Sequence, residues 1–212
     1  MFKKEISLWF VPINSPLKPI SFKEINWKKN MSCSRSFQYE HSRGYVREVL
    51  SNVLGIPALD IPIISPPGIP PKLPSDMGCV SFSHCREGLL IGWSLKNIGV
   101  DIESAGRFFE AKKILNKFFG YNEKKLLKDL ENEALNSEVL KLWVRKEAAI
   151  KWQKGSIFKD LSKWIFKLEN KTIENKIDGY MLNSSFIEFE NFYISIAGNI
   201  NPRKERLIIC KY

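Results

Sequence analysis

Apolar residues in the first third of this chain fall into short runs and helical repeats, and each pattern predicts an element. Residues 5–13 form a brief apolar run that predicts a β-strand. Residues 33–54 predict a helix ended by Gly55, because apolar side chains recur at steps of four and eight residues: Phe37, Tyr45, Val49 and Val53. The proline-rich stretch 55–75 fits neither a helix nor a central strand, so it predicts an extended, stiff connection.

Three further apolar runs follow in close succession. Residues 78–85, 89–95 and 97–103 each predict a strand, with a turn at Lys96 and Asn97 before the third. Consecutive strands joined by short turns are typical of an antiparallel meander. The pattern therefore favours a three-stranded meander in this region.

The pattern changes from strands to helices near residues 104–108. Helices are predicted at residues 107–119 and 122–135, and a long helix from Ser137 as N-cap to Gly155 as the C-terminal stop. Strand patterns return at residues 191–200 and 205–212. Strands, then helices, then strands predict an α+β protein with an internal boundary near 104–108.

Composition and charge narrow the class of protein. The 212 residues carry 33 basic and 23 acidic side chains, a net charge of +10, which favours a phosphate-rich or acidic partner. No stretch approaches the roughly 20 apolar residues of a membrane-spanning helix, and Glu5 interrupts the only run that resembles a signal peptide. Four scattered cysteines without a C-x-x-C pair predict a reduced, cytoplasmic protein rather than a zinc site.

Two groups of charged residues are candidates for chemistry. Asp101 and Glu103 alternate with apolar residues on a predicted strand, so both carboxylates point to one face. Glu147 and Lys151 stand four residues apart on the predicted long helix, also on one face. Each pair alone is compatible with a solvated strand edge or an exposed ion pair. Together, three carboxylates and a lysine are what a magnesium ion bridging two phosphates requires.

These residues lie in two motifs that resemble one family. Residues 99–103 read G-V-D-I-E and residues 143–151 read W-V-R-K-E-A-A-I-K, in the order and spacing of the paired motifs of 4′-phosphopantetheinyl transferases. Supporting resemblances are F-S-H-C at 82–85, N-K-F-F-G-Y-N-E at 116–123 and H-S-R-G-Y-V-R-E-V-L at 41–50. The chain most resembles the larger, monomeric, surfactin-synthetase-activating (Sfp) type.

This resemblance implies an activity and a set of roles. The enzyme would move the 4′-phosphopantetheine arm of coenzyme A onto a serine of an apo acyl or peptidyl carrier protein, releasing adenosine 3′,5′-bisphosphate. Asp101, Glu103 and Glu147 would hold Mg²⁺, or Mn²⁺, against the pyrophosphate. Glu147 would also deprotonate the serine, and Lys151 would neutralise the departing phosphate. Nucleic acid and membranes are not expected partners.

The resemblance also implies a fold and a coenzyme A site. Two similar α+β halves, residues 1–105 and 106–212, would pack about a pseudo-twofold with the active site at their junction. The predicted coenzyme A contacts are Ser83, His84 and Arg43, with Lys28, Lys29 and Arg35 as further candidates for the 3′-phosphate. The alternatives to a role in coenzyme A binding are that the histidine is hydrogen-bonded to the backbone and that the lysines are solvated on the surface.

Two departures from the family pattern bear on coenzyme A binding. Ile69 stands where the family often has a lysine between glycine and proline, so that contact is absent or displaced to Lys72. Gly155 alone follows the long helix, where the family tends to show two glycines.

Two rival functions are compatible with the same residues. Metal-dependent nucleases also combine Asp, Glu and Lys in basic proteins, but their usual E-x-K element lies on a strand, whereas Glu147 and Lys151 have helical spacing. A non-catalytic basic binding module would use the carboxylates structurally. Cleavage of DNA with Mg²⁺, or binding without turnover, would favour these alternatives.

Overall fold

Two β-sheets and six α-helices make up the described part of the chain, residues 5–199 and 206–212, in the computed structural model. The fold is α+β, as predicted. The strands are β1 (Glu5–Pro12), β2 (Cys79–His84), β3 (Gly88–Ser94), β4 (Ile98–Ser104), β5 (Trp164–Lys167), β6 (Thr172–Asn175), β7 (Met181–Phe189), β8 (Phe192–Gly198) and β9 (Arg206–Lys211). The helices are α1 (Phe22–Lys28), α2 (Cys33–Leu54), α3 (Ala111–Phe118), α4 (Tyr121–Leu126), α5 (Asn132–Gln153) and α6 (Ile157–Asp160).

The first sheet has the order β2-β3-β1-β9 and is covered on one face by α2. β1 runs antiparallel to β3 and parallel to β9. Val46, Val49 and Leu50 of α2 pack in one buried cluster with Trp9 and Ile91 of the sheet. The predicted bounds of this helix are confirmed, and it ends at Gly55, whose φ of 70° suits glycine.

The predicted meander is wrong. β2 and β3 pair as a hairpin, but β4 joins β8 at the edge of a second sheet of order β4-β8-β7-β6-β5. The reason is that β3 has only two edges, and β2 and β1 occupy both. β4 instead packs face to face against the first sheet, where Val100 and Ile102 share a buried cluster with Leu8 and Leu90.

α5 lies across the second sheet and approaches β4 very closely. A Cβ on Gly99 would lie 1.9 Å from the Ala148 carbonyl oxygen, so only glycine permits this contact. The approach brings the side chains of β4 beside those of the last turns of α5, where the candidate residues lie.

Several predicted boundaries in the middle of the chain are corrected. α5 begins at Asn132, before the predicted N-cap Ser137, whose hydroxyl instead lies 2.8 Å from the Tyr193 hydroxyl. The helix predicted at 107–119 is confined to α3, and the one predicted at 122–135 ends with α4. α4 starts where it does because Glu123 accepts a hydrogen bond of 2.8 Å from the Gly120 N–H.

Other elements agree with the sequence predictions or were not foreseen. The strands predicted at 191–200 and 205–212 are β8 and β9, although residues 200 and 205 lie outside the described ranges. α1, α6, β5, β6 and β7 were not predicted, yet Ser21 and Glu24 form a capping box that marks the start of α1. The division at residue 105 and the pseudo-twofold stay predictions.

Two further observations concern the described residues alone. Cys33, Cys79 and Cys85 are free thiols, while the side chain of Cys210 lies outside the described part. None of the described helices combines the length and apolar character needed to cross a membrane.

Candidate active site

Three carboxylates meet where β4 passes the C-terminal half of α5. Asp101 and Glu103 come from one face of β4 and Glu147 from α5, and one oxygen of each lies within 4.8 Å of the others. Asp101 and Glu147 are buried, and Glu103 is partly buried. An all-oxygen set of three carboxylates is the donor set that Mg²⁺ or Mn²⁺ prefers.

The two oxygens of Asp101 have different surroundings. Oδ1 accepts hydrogen bonds from the Ser83 hydroxyl at 2.6 Å and from the Lys151 ammonium at 2.5 Å. Oδ2 is buried and has no hydrogen-bond partner among the described residues. A buried carboxylate oxygen without a partner is costly, so it leaves a free coordination position for a cation. The residues present therefore fit a divalent metal.

Lys151 connects the carboxylate cluster to β2. Its ammonium donates to the Ser83 hydroxyl at 2.6 Å as well as to Asp101, and lies 3.9 Å from Glu147 Oε2. The pairing with Glu147 that the helical spacing predicts is thus weaker than the pairing with Asp101 across the two elements. Lys151 already supplies part of the positive charge that adjacent carboxylates need.

The cluster raises the pKa of two of its members. Burial and the negative charge of Asp101 raise the pKa of Glu147 to about 8, against the opposing effect of Lys151. The same two causes raise the pKa of Glu103 to about 7, although Arg107 lowers it through a hydrogen bond to Glu103 Oε1. A divalent cation would relieve this repulsion by favouring the ionised forms.

These pKa values predict how stability depends on pH. Because both folded-state pKa values exceed the ordinary value of 4.5, the folded protein binds more protons than the unfolded chain between that value and about 8. The stabilisation is complete below 4.5 and is lost as pH rises through about 7 and then about 8. We expect the melting temperature measured in EDTA to fall over this interval, and Mg²⁺ to reduce the fall. Glu147→Gln should flatten the dependence in EDTA; an unchanged slope in that variant would contradict this assignment.

A cavity of about 840 Å³ opens beside the cluster, lined by residues of α2, β2, the proline-rich loop and the end of α5. Its basic lining residues are Arg35, Arg43, Lys72, Lys151 and Lys154, with His84 beside them. No aspartate or glutamate is among the described residues that line it. A concave site of this size with charges of one sign suits a ligand with several negative charges.

The predicted coenzyme A residues differ in their relation to this cavity. Arg43, Lys72 and His84 line it, as does the looser candidate Arg35. Ser83 is buried behind it, bound to Asp101 and Lys151. Lys28 does not line the cavity, and its ammonium pairs with Glu40 on α2.

Lys29, the remaining candidate, is the exposed residue that directly follows α1, and it does not line the cavity.

Arg43 is held rigidly in the wall of the cavity. Its guanidinium donates to the Ser65 carbonyl at 3.1 Å and to the Ser42 hydroxyl at 3.1 Å, and stacks on the rings of Tyr39 and Phe82. Burial lowers its pKa from the ordinary value. No carboxylate forms an ion pair with it in the described part of the chain, so its charge is available to an anion in the cavity.

His84 lies between two cavities. It lines the basic cavity and also a second one of about 780 Å³, which is walled by Glu103, Arg107 and Phe108. Its ring makes no hydrogen bond to the described backbone, unlike His41, whose Nε2 lies 3.2 Å from the Pro12 carbonyl oxygen. Partial desolvation and the charge of Lys151 lower the pKa of His84.

Two residues of the site were missed from sequence. Arg107 pairs with Glu103, but Glu103 lies on β4 and not on a helix, so their four-residue spacing gave no signal; Lys154 had none either. Phe119 is buried, and Phe118 and Trp143 pack partly buried against the clusters around α5.

Comparison with known proteins agrees with this geometry. Residues 97–197 match the model of the 4′-phosphopantetheinyl transferase superfamily. The matched range contains β4, α5 and β8 except for its last residue, and with them all three carboxylates and Lys151. No protein of curated function matches the chain. The comparison thus supports a domain of the 4′-phosphopantetheinyl transferase superfamily at residues 97–197.

Proposed function

We propose that this protein transfers 4′-phosphopantetheine from coenzyme A to a serine of an apo acyl or peptidyl carrier protein, with Mg²⁺, and releases adenosine 3′,5′-bisphosphate. The superfamily domain supports phosphopantetheine transfer in general. The observation that carries the specific proposal is the carboxylate cluster beside a cavity whose charged lining is entirely basic, with Lys151 common to both. This arrangement suits a pyrophosphate ligand with a divalent cation at one end.

In this proposal Asp101, Glu103 and Glu147 hold the cation, which supplies charge neutralisation of the pyrophosphate when bound. Lys151 leaves its bond to Asp101 for the phosphate that departs with the nucleotide. Arg43 and His84 hold other phosphate oxygens, and Ser83 positions Lys151 and Asp101. Lys28 pairs with Glu40, so its contribution to the 3′-phosphate requires that this pair open.

Glu147 accepts the proton of the carrier serine, directly or through a water. The serine oxygen forms a bond to the phosphorus that bears the pantetheine arm, and the bond from that phosphorus to the bridging oxygen breaks. The electron pair stays with the nucleotide phosphate, beside Lys151. Glu147 must be ionised to accept a proton, and the positive charges of the cation and Lys151 would favour its ionised form at neutral pH.

The expected protein partner is acidic. A net charge of +10 raises the encounter rate with a negatively charged carrier domain. We also propose that the protein acts as a cytoplasmic monomer of the larger, surfactin-synthetase-activating type.

Intact-protein mass spectrometry of an apo acyl carrier protein tests the function. Incubation with this protein, coenzyme A and Mg²⁺ should add one phosphopantetheine group, and EDTA should prevent the addition. No addition to several unrelated carriers, together with no calorimetric binding of coenzyme A, would overturn the proposal. Cleavage of DNA with Mg²⁺ under the same conditions would favour the nuclease alternative.

A further inference from the structure

The end of α5 carries a lysine in a backbone conformation that favours glycine. Lys154 has φ 58° and ψ 31°, in the left-handed region. Its N–H donates to the Lys151 carbonyl at 3.1 Å, and the Gly155 N–H donates to the Ile150 carbonyl at 2.9 Å. This pair of bonds is the Schellman arrangement, whose left-handed position is usually glycine because a Cβ there costs conformational free energy. The backbone alone therefore does not explain a lysine at this position.

The surroundings of Lys154 supply another reason for it. Lys154 is exposed and lines the basic cavity, one turn beyond Lys151 on the same helix end. No carboxylate forms an ion pair with its ammonium within residues 6–199, the range whose side chains are described. Arg35 and Lys72 line the same cavity, so Lys154 adds a positive charge where positive charges already repel one another. Such an accumulation is stabilised when an anion occupies the cavity.

We propose that Lys154 binds a phosphate group of coenzyme A in this cavity. The proposal rests on the proposed function, and adds a binding residue that neither of the transferase motifs contains. Lys151 is engaged with the carboxylate cluster, whereas Lys154 has its full charge available for the nucleotide end of the ligand. A lysine also interacts favourably with the C-terminal dipole of a helix, so the test must separate ligand binding from helix stability.

Lys154→Gly provides that separation, because glycine is favoured at this backbone position. We expect the variant to melt at the same or a higher temperature, while its Kd for coenzyme A in calorimetry rises about tenfold. Lys154→Asn, which also tolerates the left-handed region, should weaken binding similarly, and Lys154→Arg should restore most of the affinity.

The chain offers a matched control in Lys171→Gly. Lys171 is also exposed and left-handed, with φ 55°, but lies on the turn between β5 and β6 and not in the cavity. This variant removes the same charge from the same kind of backbone, and should bind coenzyme A as the unaltered chain does. Repeating the titrations with 3′-dephospho-coenzyme A identifies the phosphate: loss for coenzyme A alone indicates the 3′-phosphate, and equal loss for both indicates the pyrophosphate.

The outcomes separate this inference from the proposed function. Unchanged affinity in Lys154→Gly, or an equal loss in Lys171→Gly, would overturn the role of Lys154 while leaving the transferase assignment intact. A lower melting temperature of Lys154→Gly with unchanged affinity would assign the lysine to helix stability instead. No binding of coenzyme A by the unaltered chain would overturn both proposals.

Discussion

Asp101→Asn is expected to lower the transfer rate by about 10²–10³-fold. The amide keeps the size of the carboxylate and can still accept the hydrogen bonds from Ser83 and Lys151. It removes the negative charge at the buried Oδ2, which has no other partner in the described structure. Mass spectrometry of the carrier protein over time measures the rate.

A second readout separates metal binding from chemistry. Mg²⁺ should raise the melting temperature of the unaltered protein, because a ligand that binds only the folded state stabilises it. In Asp101→Asn this rise should be much smaller. Asp76→Asn is the matched control, since Asp76 is exposed and lies outside the carboxylate cluster. Full activity and a full Mg²⁺ effect in Asp101→Asn would contradict the assignment of Asp101 as a metal ligand.

The second large effect is on stability and concerns Lys146, the residue before Glu147. Its side chain is fully buried and donates to Glu123 Oε2 at 2.9 Å and to the Trp164 carbonyl at 2.6 Å. Lys146→Met should lower the free energy of unfolding by about 3–5 kcal/mol, because it leaves the Glu123 carboxylate buried without its cation. Chemical denaturation measures this loss.

Glu123 retains other partners, which allows a sharper test. It still accepts from the backbone N–H groups of Gly120 and Phe166. The double variant Lys146→Met with Glu123→Gln should therefore lose less stability than the sum of the two single variants. Lys125→Met, on the exposed side of α4, should change stability by less than about 0.5 kcal/mol. A similarly small loss in Lys146→Met would mean that the ion pair does not hold α5 against α4.

Local sequence patterns were sufficient to predict an element when the residues that mark its face and its end lie within that element or next to it. α2 was predicted with its observed bounds because its apolar repeat and Gly55 mark both the face and the end. The start of α5 was misplaced because Ser137 is a good capping residue by type, while its hydroxyl in the fold lies next to Tyr193 on β8. Residue type alone cannot tell a cap from a contact with a distant strand.

Strand pairing could not be derived from the order of the strands. β3 and β4 are adjacent along the chain but belong to different sheets, because the partners of β3 include β1, far away in sequence. The apolar side chains of β4 are compatible with a place in either sheet. β4 joins the second sheet because β1 and β2 already occupy both edges of β3.

The candidate site was largely foreseen, because Asp101, Glu103, Glu147 and Lys151 lie in two compact motifs. The bond between Lys151 and Asp101 was not, since it depends on how closely β4 and α5 approach at Gly99. Lys154 was missed for a similar reason. Its place in the cavity wall follows from the left-handed turn that ends α5. A lysine does not indicate such a turn, because the left-handed position is usually occupied by glycine.

The parallel pairing of β1 with β9 has a consequence for folding during synthesis. While a ribosome is still translating the middle of the chain, β1, β2 and β3 can associate, but the edge of β1 that β9 will cover stays open. An uncovered strand edge invites pairing with another chain, so nascent molecules on one messenger are most exposed to aggregation in that interval. Slower translation of the chain downstream of β3 would lengthen the time for which this edge is uncovered. We therefore expect slower translation there to lower the yield of soluble protein.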